Sequence, residues 1–330
     1  MDKMRRKSLL ELKKMKLEEV EKYQRELRRY EYENNVPLRG INLRKKIHNL
    51  LLSIIKIDRI LSDEELYVMS DERVESTAPK IYACTHIGGN DVQRVFEAIQ
   101  EHAYLFIGDL KELYTDAMGM VLDANGAIKL DTSDKLDRTI AYERSIELLS
   151  AGGNLLIFPE GVWNVTHNLP VMPLYPGVIK MANETKADII PVAIEQYGNR
   201  FFVRIGKNIP YDKVASANIN ARKEELRDAM ATLKWDIWSI IGAGTRKSIT
   251  RDEIEGFQNR IIKRCAYNFS AEELEKGVYR PKEIVEPEAV YIISPLQLYA
   301  ISLGYYDSLY DETLKDSKKH VIIPSVGKVS

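Results

Sequence analysis

The stretch Thr85-His86-Ile87-Gly88-Gly89-Asn90-Asp91 sets a histidine, two glycines and a carboxylate directly after the apolar run Ile81-Tyr82-Ala83-Cys84. An imidazole at a strand end can take a proton from a hydroxyl when a carboxylate holds its Nδ1 proton, because that tautomer leaves Nε2 open. The carboxylate also stabilises the imidazolium that forms. Adjacent glycines permit the tight backbone path that folds Asp91 back toward His86. The same residues also fit a plainer arrangement, with Asp91 in the first turn of a helix and His86 in a loop. No serine or cysteine nucleophile is clearly paired with the histidine. Cys84, on an alternating strand, reads as a small core residue. A second stretch, Phe158-Pro159-Glu160-Gly161, follows the run Asn154-Leu155-Leu156-Ile157. Its proline ends a strand, its glycine lets backbone approach a ligand, and an exposed Glu160 would hold a polar substrate. His167 is a further candidate.

Short apolar runs at 81–84, 104–107, 127–130, 154–158, 189–194 and 201–205 alternate with helical patterns at about 90–101, 134–150 and 176–185. Alternation of this kind predicts an α/β fold, a mixed and largely buried sheet flanked by helices. In such sheets functional groups gather in loops at one end of the strands. Before the sheet, residues 1–34 read as a charged helix ended by Asn34-Asn35-Val36-Pro37. At 41–61, Leu43, Ile47, Leu50, Leu51, Ile54, Ile57 and Leu61 recur at helical spacing, while Arg44, Lys45, Lys46, Lys56 and Arg59 make the rest basic. That profile fits a helix lying in a membrane interface, although a core helix with exposed cations is the commoner source of such a pattern taken alone. After the sheet, Arg222 to Ile241 and Arg251 to Cys265 read as amphipathic helices, with Trp235 and Trp238 as core residues. The Tyr-rich tail shows no interpretable pattern. The expected division is N-terminal helices at 1–62, a catalytic α/β domain at 63–215 and a helical C-terminal extension at 216–330.

The chain has 330 residues, 45% hydrophobic and 29% charged, with a formal net charge of -1. Such a composition suits a folded protein and argues against nucleic acid as a partner. Two cysteines without a C-x-x-C pair predict neither disulfide framework nor metal site, and a reducing cytoplasm as the compartment. The N-terminal region lacks a signal-peptide core, and its longest strongly apolar stretch, 49–55, falls short of the roughly 20 residues that span a bilayer.

Taken together, H-x-x-x-x-D at His86 to Asp91, G-x-I-x-x-D at Gly126, Ile128 and Asp131, and F-P-E-G at Phe158, Pro159, Glu160 and Gly161 occur in order, each by a candidate strand. With the Pro-Val strand Ile189-Ile190-Pro191-Val192, this resembles the glycerol-phosphate and lysophosphatidic acid acyltransferase family, over about 80–210. The resemblance implies transfer of a fatty acyl group from acyl-CoA or an acyl carrier protein to a hydroxyl, without a resident cofactor. His86 would be the general base and Asp91 its partner. Glu160 and Gly161 would help bind the acceptor, and backbone N–H groups near Gly88 or Gly161 are candidates for the oxyanion donors. Family members meet lipid at the bilayer surface, which favours the interfacial reading of 41–61. The expected location is peripheral, on the cytoplasmic face of the cell membrane, with anionic lipid as a partner.

Two departures stand out. The family pattern usually has arginines where this chain has Thr132 and Trp163. Both arginines are associated with the acceptor's phosphate, and a charge-assisted hydrogen bond is worth roughly 1.5–3 kcal/mol. Lys129, Lys135, Arg138 and Lys180 are candidate replacements. The acceptor is therefore expected to be a lysolipid-like hydroxyl compound other than simple lysophosphatidic acid, such as a sugar or other headgroup, with Trp163 either stacking on it or packing structurally. The rivals are an enzyme of the same fold with a non-lipid acceptor, a catalytically silent lipid- or membrane-binding adaptor that retains the fold, and a hydrolase of the acyl thioester with water as the nucleophile.

Overall fold

A computed structural model describes residues 4–38, 40–108, 114, 117–164, 169–197, 199–211 and 218–241. His167, the helix expected at 251–265 and the Tyr-rich tail lie outside the described residues. The chain opens with α1 (Leu9–Leu12), α2 (Leu17–Glu33) and α3 (Ile41–Leu61). Strands and helices then follow: β1 (Glu65–Asp71), β2 (Lys80–Cys84), α4 (Asp91–Ile99), β3 (Tyr104–Gly108), α5 (Ala117–Asn125), β4 (Ala127–Leu130), α6 (Lys135–Ser150), β5 (Leu155–Ile157), α7 (Gly177–Thr185), β6 (Asp188–Tyr197), β7 (Arg200–Ile205) and α8 (Ile219–Ile241).

The seven strands form one sheet in the order β1-β7-β6-β2-β5-β3-β4. Pairing is parallel except between β6 and β7, so the sheet is mixed, as expected. Successive side chains of a strand point to opposite faces. Ile81 and Ala83 accordingly join a core under α6, α7 and α8, while Tyr82 and Cys84 join one under α3, α4 and α5. Burial of both faces explains the continuous apolar runs. Because β2, β5, β3 and β4 run parallel, the residues after β2 (His86), β5 (Phe158) and β4 (Asp131) all emerge along one sheet edge.

Four elements differ from the sequence reading. The helix expected over 1–34 is broken at residues 13–16, where the Glu19 carboxylate accepts a hydrogen bond from the Lys16 N–H to start α2. Strand β1 and helix α5 carry no clean period: β1 is an edge strand with Tyr67 and Val68 exposed, so its residues do not alternate. Helix α3 keeps its expected bounds, but two of its faces are apolar. His48, Leu51, Leu52 and Ile55 are buried, whereas Leu43, Leu50, Ile54, Ile57 and Leu61 are exposed.

Candidate functional site

The turn after β2 is built around one carboxylate oxygen. Asp91 Oδ2 accepts from His86 Nδ1 at 2.7 Å, from the Ile87 N–H at 2.8 Å and from the Gly88 N–H at 2.9 Å. Gly88 and Gly89 take φ of 85° and 66°, the left-handed region open to glycine, and this reverses the chain so that Asp91 can reach back. Asp91 is 1% exposed and opens α4, while the His86 side chain keeps 16% of its surface accessible. A carboxylate can only accept, so Nδ1 carries the proton and Nε2 is the basic nitrogen. The His86 ring stacks on Phe158 at 4.2 Å between centroids and meets Trp163 edge-on at 6.2 Å.

The F-P-E-G turn supports the histidine from behind. Glu160 Oε1 accepts the His86 N–H at 2.9 Å, and Oε2 accepts the Met172 N–H at 2.8 Å. The residue is fully buried, which corrects the expectation of an exposed, acceptor-binding Glu160. Burial raises the Glu160 carboxyl above the usual range, opposed by the nearby Lys234 and by the two backbone donors. Its place is that of a positioning residue tying β2, β5 and the loop before α7 together. Gly161 is required here: its φ is +79°, and a Cβ would lie 2.4 Å from the Tyr175 ring. Pro159 contributes a carbonyl that accepts the Tyr175 N–H at 2.8 Å.

Of the backbone donors suggested for an oxyanion, those of Gly88 and Gly161 themselves are already engaged. The Gly88 N–H serves Asp91, and the Gly161 N–H donates to the Phe158 carbonyl at 3.0 Å. Trp163 is buried against the histidine. Cys84 is fully buried, and burial pushes its thiol well up, so it supplies no thiolate.

The G-x-I-x-x-D block is not brought to His86. β4 stands three strand spacings from β2, about 14 Å across the sheet. Gly126 (φ 118°) lets the Tyr104 ring approach, and Ile128 is core. Asp131 pairs with Arg25 of α2 at 2.5 Å, and against the effect of burial the Ser133 hydrogen bonds, followed by Arg25, hold its carboxyl below the ordinary range. Two neighbours continue the seam, Arg28–Asp137 at 2.6 Å and Arg29–Asp134 at 2.5 Å. These residues dock α2. Among the replacement cations, Lys129 pairs with Asp123 at 2.8 Å and Arg138 donates to the Thr132 carbonyl, while Lys135 and Lys180 are exposed.

Several residues that shape the site gave no local signal. Asn164 donates its N–H to the His86 carbonyl at 2.6 Å. Glu64, at the α3–β1 turn, accepts from Asn90 Nδ2 at 2.9 Å and Arg94 Nε at 2.8 Å, so it brackets Asp91. Arg94 is fully buried and also binds Asp58 of α3 at 2.9 Å. Breaking such a buried ion network costs about 3–5 kcal/mol. α3 and the Asp91 turn are thus one mechanical unit.

The family model described as Acyltransferase matches residues 65–195, the segment that carries β1 to β6. A 1-acyl-sn-glycerol-3-phosphate acyltransferase of Saccharomyces cerevisiae (strain ATCC 204508 / S288c) is 28% identical over 135 residues, 37% of this chain and 45% of that protein. The chain therefore matches less than half the length of this relative. The crystal structure of the 1-acyl-sn-glycerophosphate (LPA) acyltransferase PlsC from Thermotoga maritima aligns with a TM-score of 0.49 at 14% identity, covering 65% of this chain and 88% of that one.

Proposed function

We propose that this protein, whose residues 65–195 match the Acyltransferase family model, is an O-acyltransferase, moving a fatty acyl group from a thioester to a hydroxyl of a lysophospholipid-like acceptor. The observation that carries the reading is the 2.7 Å bond between His86 Nδ1 and Asp91 Oδ2, with Nε2 left as the base. The acceptor hydroxyl gives its proton to Nε2 as its oxygen attacks the thioester carbonyl. The tetrahedral intermediate then collapses, the C–S bond breaks, and the leaving thiolate takes the proton from the imidazolium. An ester and a free thiol result, with no acyl-enzyme. Asp91 stabilises the imidazolium, and Glu160 and Asn164 hold the main chain of His86 in place. The donor is coenzyme A or a carrier protein, and no resident cofactor or metal is invoked.

The yeast relative is named for a phosphate-bearing acceptor. A second reading, an acceptor without a phosphomonoester, is favoured by Thr132 and Trp163 standing where the family pattern has arginines, and by Trp163 lying edge-on to His86. An acceptor panel separates the two: lysophosphatidic acid as the best acceptor by a wide margin ends the second reading. Thiol release from acyl-CoA, followed with a mixture of lysolipids, tests the enzyme assignment itself. Free fatty acid as the main product would mean a thioester hydrolase, and no thiol release with either donor would mean a silent adaptor.

Membrane contact is part of the same proposal. Among the described residues no helix is long and apolar enough to cross a bilayer. The outer face of α3 exposes Leu43 (62%), Leu50 (65%), Ile57 (56%) and Leu61 (82%), with Lys45, Lys46 and Lys56 exposed beside them. Apolar burial and attraction to anionic headgroups favour peripheral binding to the inner face of the cell membrane. Because the opposite face of α3 is core, point changes test this better than truncation. Leu50→Glu with Ile57→Glu is expected to abolish co-sedimentation with vesicles of phosphatidylglycerol and phosphatidylcholine. Unchanged pelleting of the folded variant rejects this face.

A further inference from the structure

A cavity of about 370 Å³ lies where α2 and the start of α3 cover the β4 edge and α6, away from His86. That volume is in the range of small-molecule sites. Arg6, Lys7, Arg28, Arg44, Lys129 and Arg144 line it, against the carboxylates of Glu31 and Asp123. The balance stays positive even when Asp137 and Glu147, the partners of Arg28 and Arg144 outside the wall, are counted. Lys7 faces the Met15 sulfur at 3.4 Å and the Tyr23 ring at 4.7 Å in place of a carboxylate. Arg144 gives Nη1 to Glu147 at 2.6 Å, and a guanidinium has five donors. Arg44 Nη1 donates to the Tyr104 hydroxyl at 3.3 Å, so its head is held at the wall. Tyr23, Tyr104 and Tyr114 add aromatic surface to the same lining.

We propose that this cavity binds a phosphate ester, specifically the phosphorylated nucleotide end of a coenzyme A thioester. Fixed guanidinium groups suit phosphate oxygens, and aromatic rings suit a purine. Position selects between the two phosphate sources that the acyl-transfer reading offers, and the choice of ligand rests on that reading. In a glycerol-type acceptor the hydroxyl and the phosphate are separated by a single glycerol unit. A phosphate site beside β4, about 14 Å across the sheet from the strand that presents His86, cannot serve such an acceptor while its hydroxyl reacts. In coenzyme A the thioester and the nucleotide phosphates are separated by the whole pantetheine arm, which can bridge that span. The proposal also orders the two donors: a carrier protein presents the arm without the nucleotide, and it leaves the cavity unused.

The test uses the full chain. Adenosine 3′,5′-bisphosphate, which lacks the thiol arm, is titrated by calorimetry and then used as a competitor of acyl-CoA. It is expected to bind and to compete. Arg144→Ala and Lys7→Ala are each expected to raise the KM for acyl-CoA by about tenfold, with kcat and acceptor KM little changed, and Arg144→Lys is expected to recover part of the loss. Failure of the bisphosphate to bind overturns the proposal. So does a rise in acceptor KM in place of donor KM, which would assign the cavity to a lipid phosphate. Binding is read without turnover, so a protein that binds the bisphosphate yet transfers no acyl group refutes the reaction and keeps the site.

Discussion

The ends of β2 and β4 lie along the same sheet edge and each presents an aspartate, but the two aspartates face different partners. Asp91 turns inward and spends one oxygen on an imidazole and two backbone N–H groups. Asp131 turns toward α2 and takes a guanidinium, as Asp134 and Asp137 do beside it. The first arrangement leaves a basic nitrogen at an accessible position, and the second fastens a helix. A carboxylate's role is set by what the fold puts opposite it, and a motif aspartate can be as structural as any other.

That contrast is breakable. His86→Ala is expected to lower kcat by about 100- to 10,000-fold, the range for loss of a general base, read by thiol release with the fold checked by circular dichroism. If turnover survives, the β2 end is not the reaction centre. Glu160→Ala strands two buried N–H donors and is expected to lower stability by about 2–5 kcal/mol in urea unfolding, with Glu160→Gln losing less because it keeps an acceptor. A Glu160→Ala protein of wild-type stability would leave the F-P-E-G turn without its structural account.

Acidity supplies a third test, at the interface that seats α3. Burial pushes His102 down to about 4, and His102 Nε2 meets the Asn125 carbonyl at 2.8 Å while His48 meets the Asn125 side chain at 2.7 Å. A histidine whose folded pKa is depressed takes up a proton more readily when unfolded. The neutral site is fully stabilising above about 6.5, and stability falls as pH drops from there toward 4, by on the order of 3 kcal/mol. His102→Gln should flatten that part of the stability curve; an unaltered slope assigns the acid sensitivity elsewhere. The smallest effect is expected for Asp131→Asn. Its pair with Arg25 is partly exposed, so stability should fall by about 0.5–1 kcal/mol with turnover near wild type. A loss of turnover approaching that of His86→Ala would place β4 in the reaction after all.

Much of the sheet could be read from the chain because buried parallel strands impose continuous apolar runs, and Ile81 to Cys84, Leu155 to Ile157 and Ile189 to Ile194 all show one. β1 escaped because an edge strand half open to solvent carries no such run. The helix at 41–61 was legible in its bounds, but its apolar residues divide between two faces, and which face is covered depends on where α4 and α5 pack. Trp163 was open to two roles by type alone, and its burial beside His86 is a fact of packing.

By itself, the sequence made the pairing of His86 with Asp91 available, since the four residues between them include two glycines that can close the turn locally. Tertiary structure alone decided that Glu160 faces inward to the main chain of His86, 74 positions away, and that Asp131 belongs to α2. It alone ties Glu64 and Arg94 to the Asp91 turn and lines a cationic cavity with residues from six separate elements. The physical reason is range: backbone conformation and strand period are dictated by near neighbours, whereas the direction a charge faces depends on which distant segment comes to rest against it.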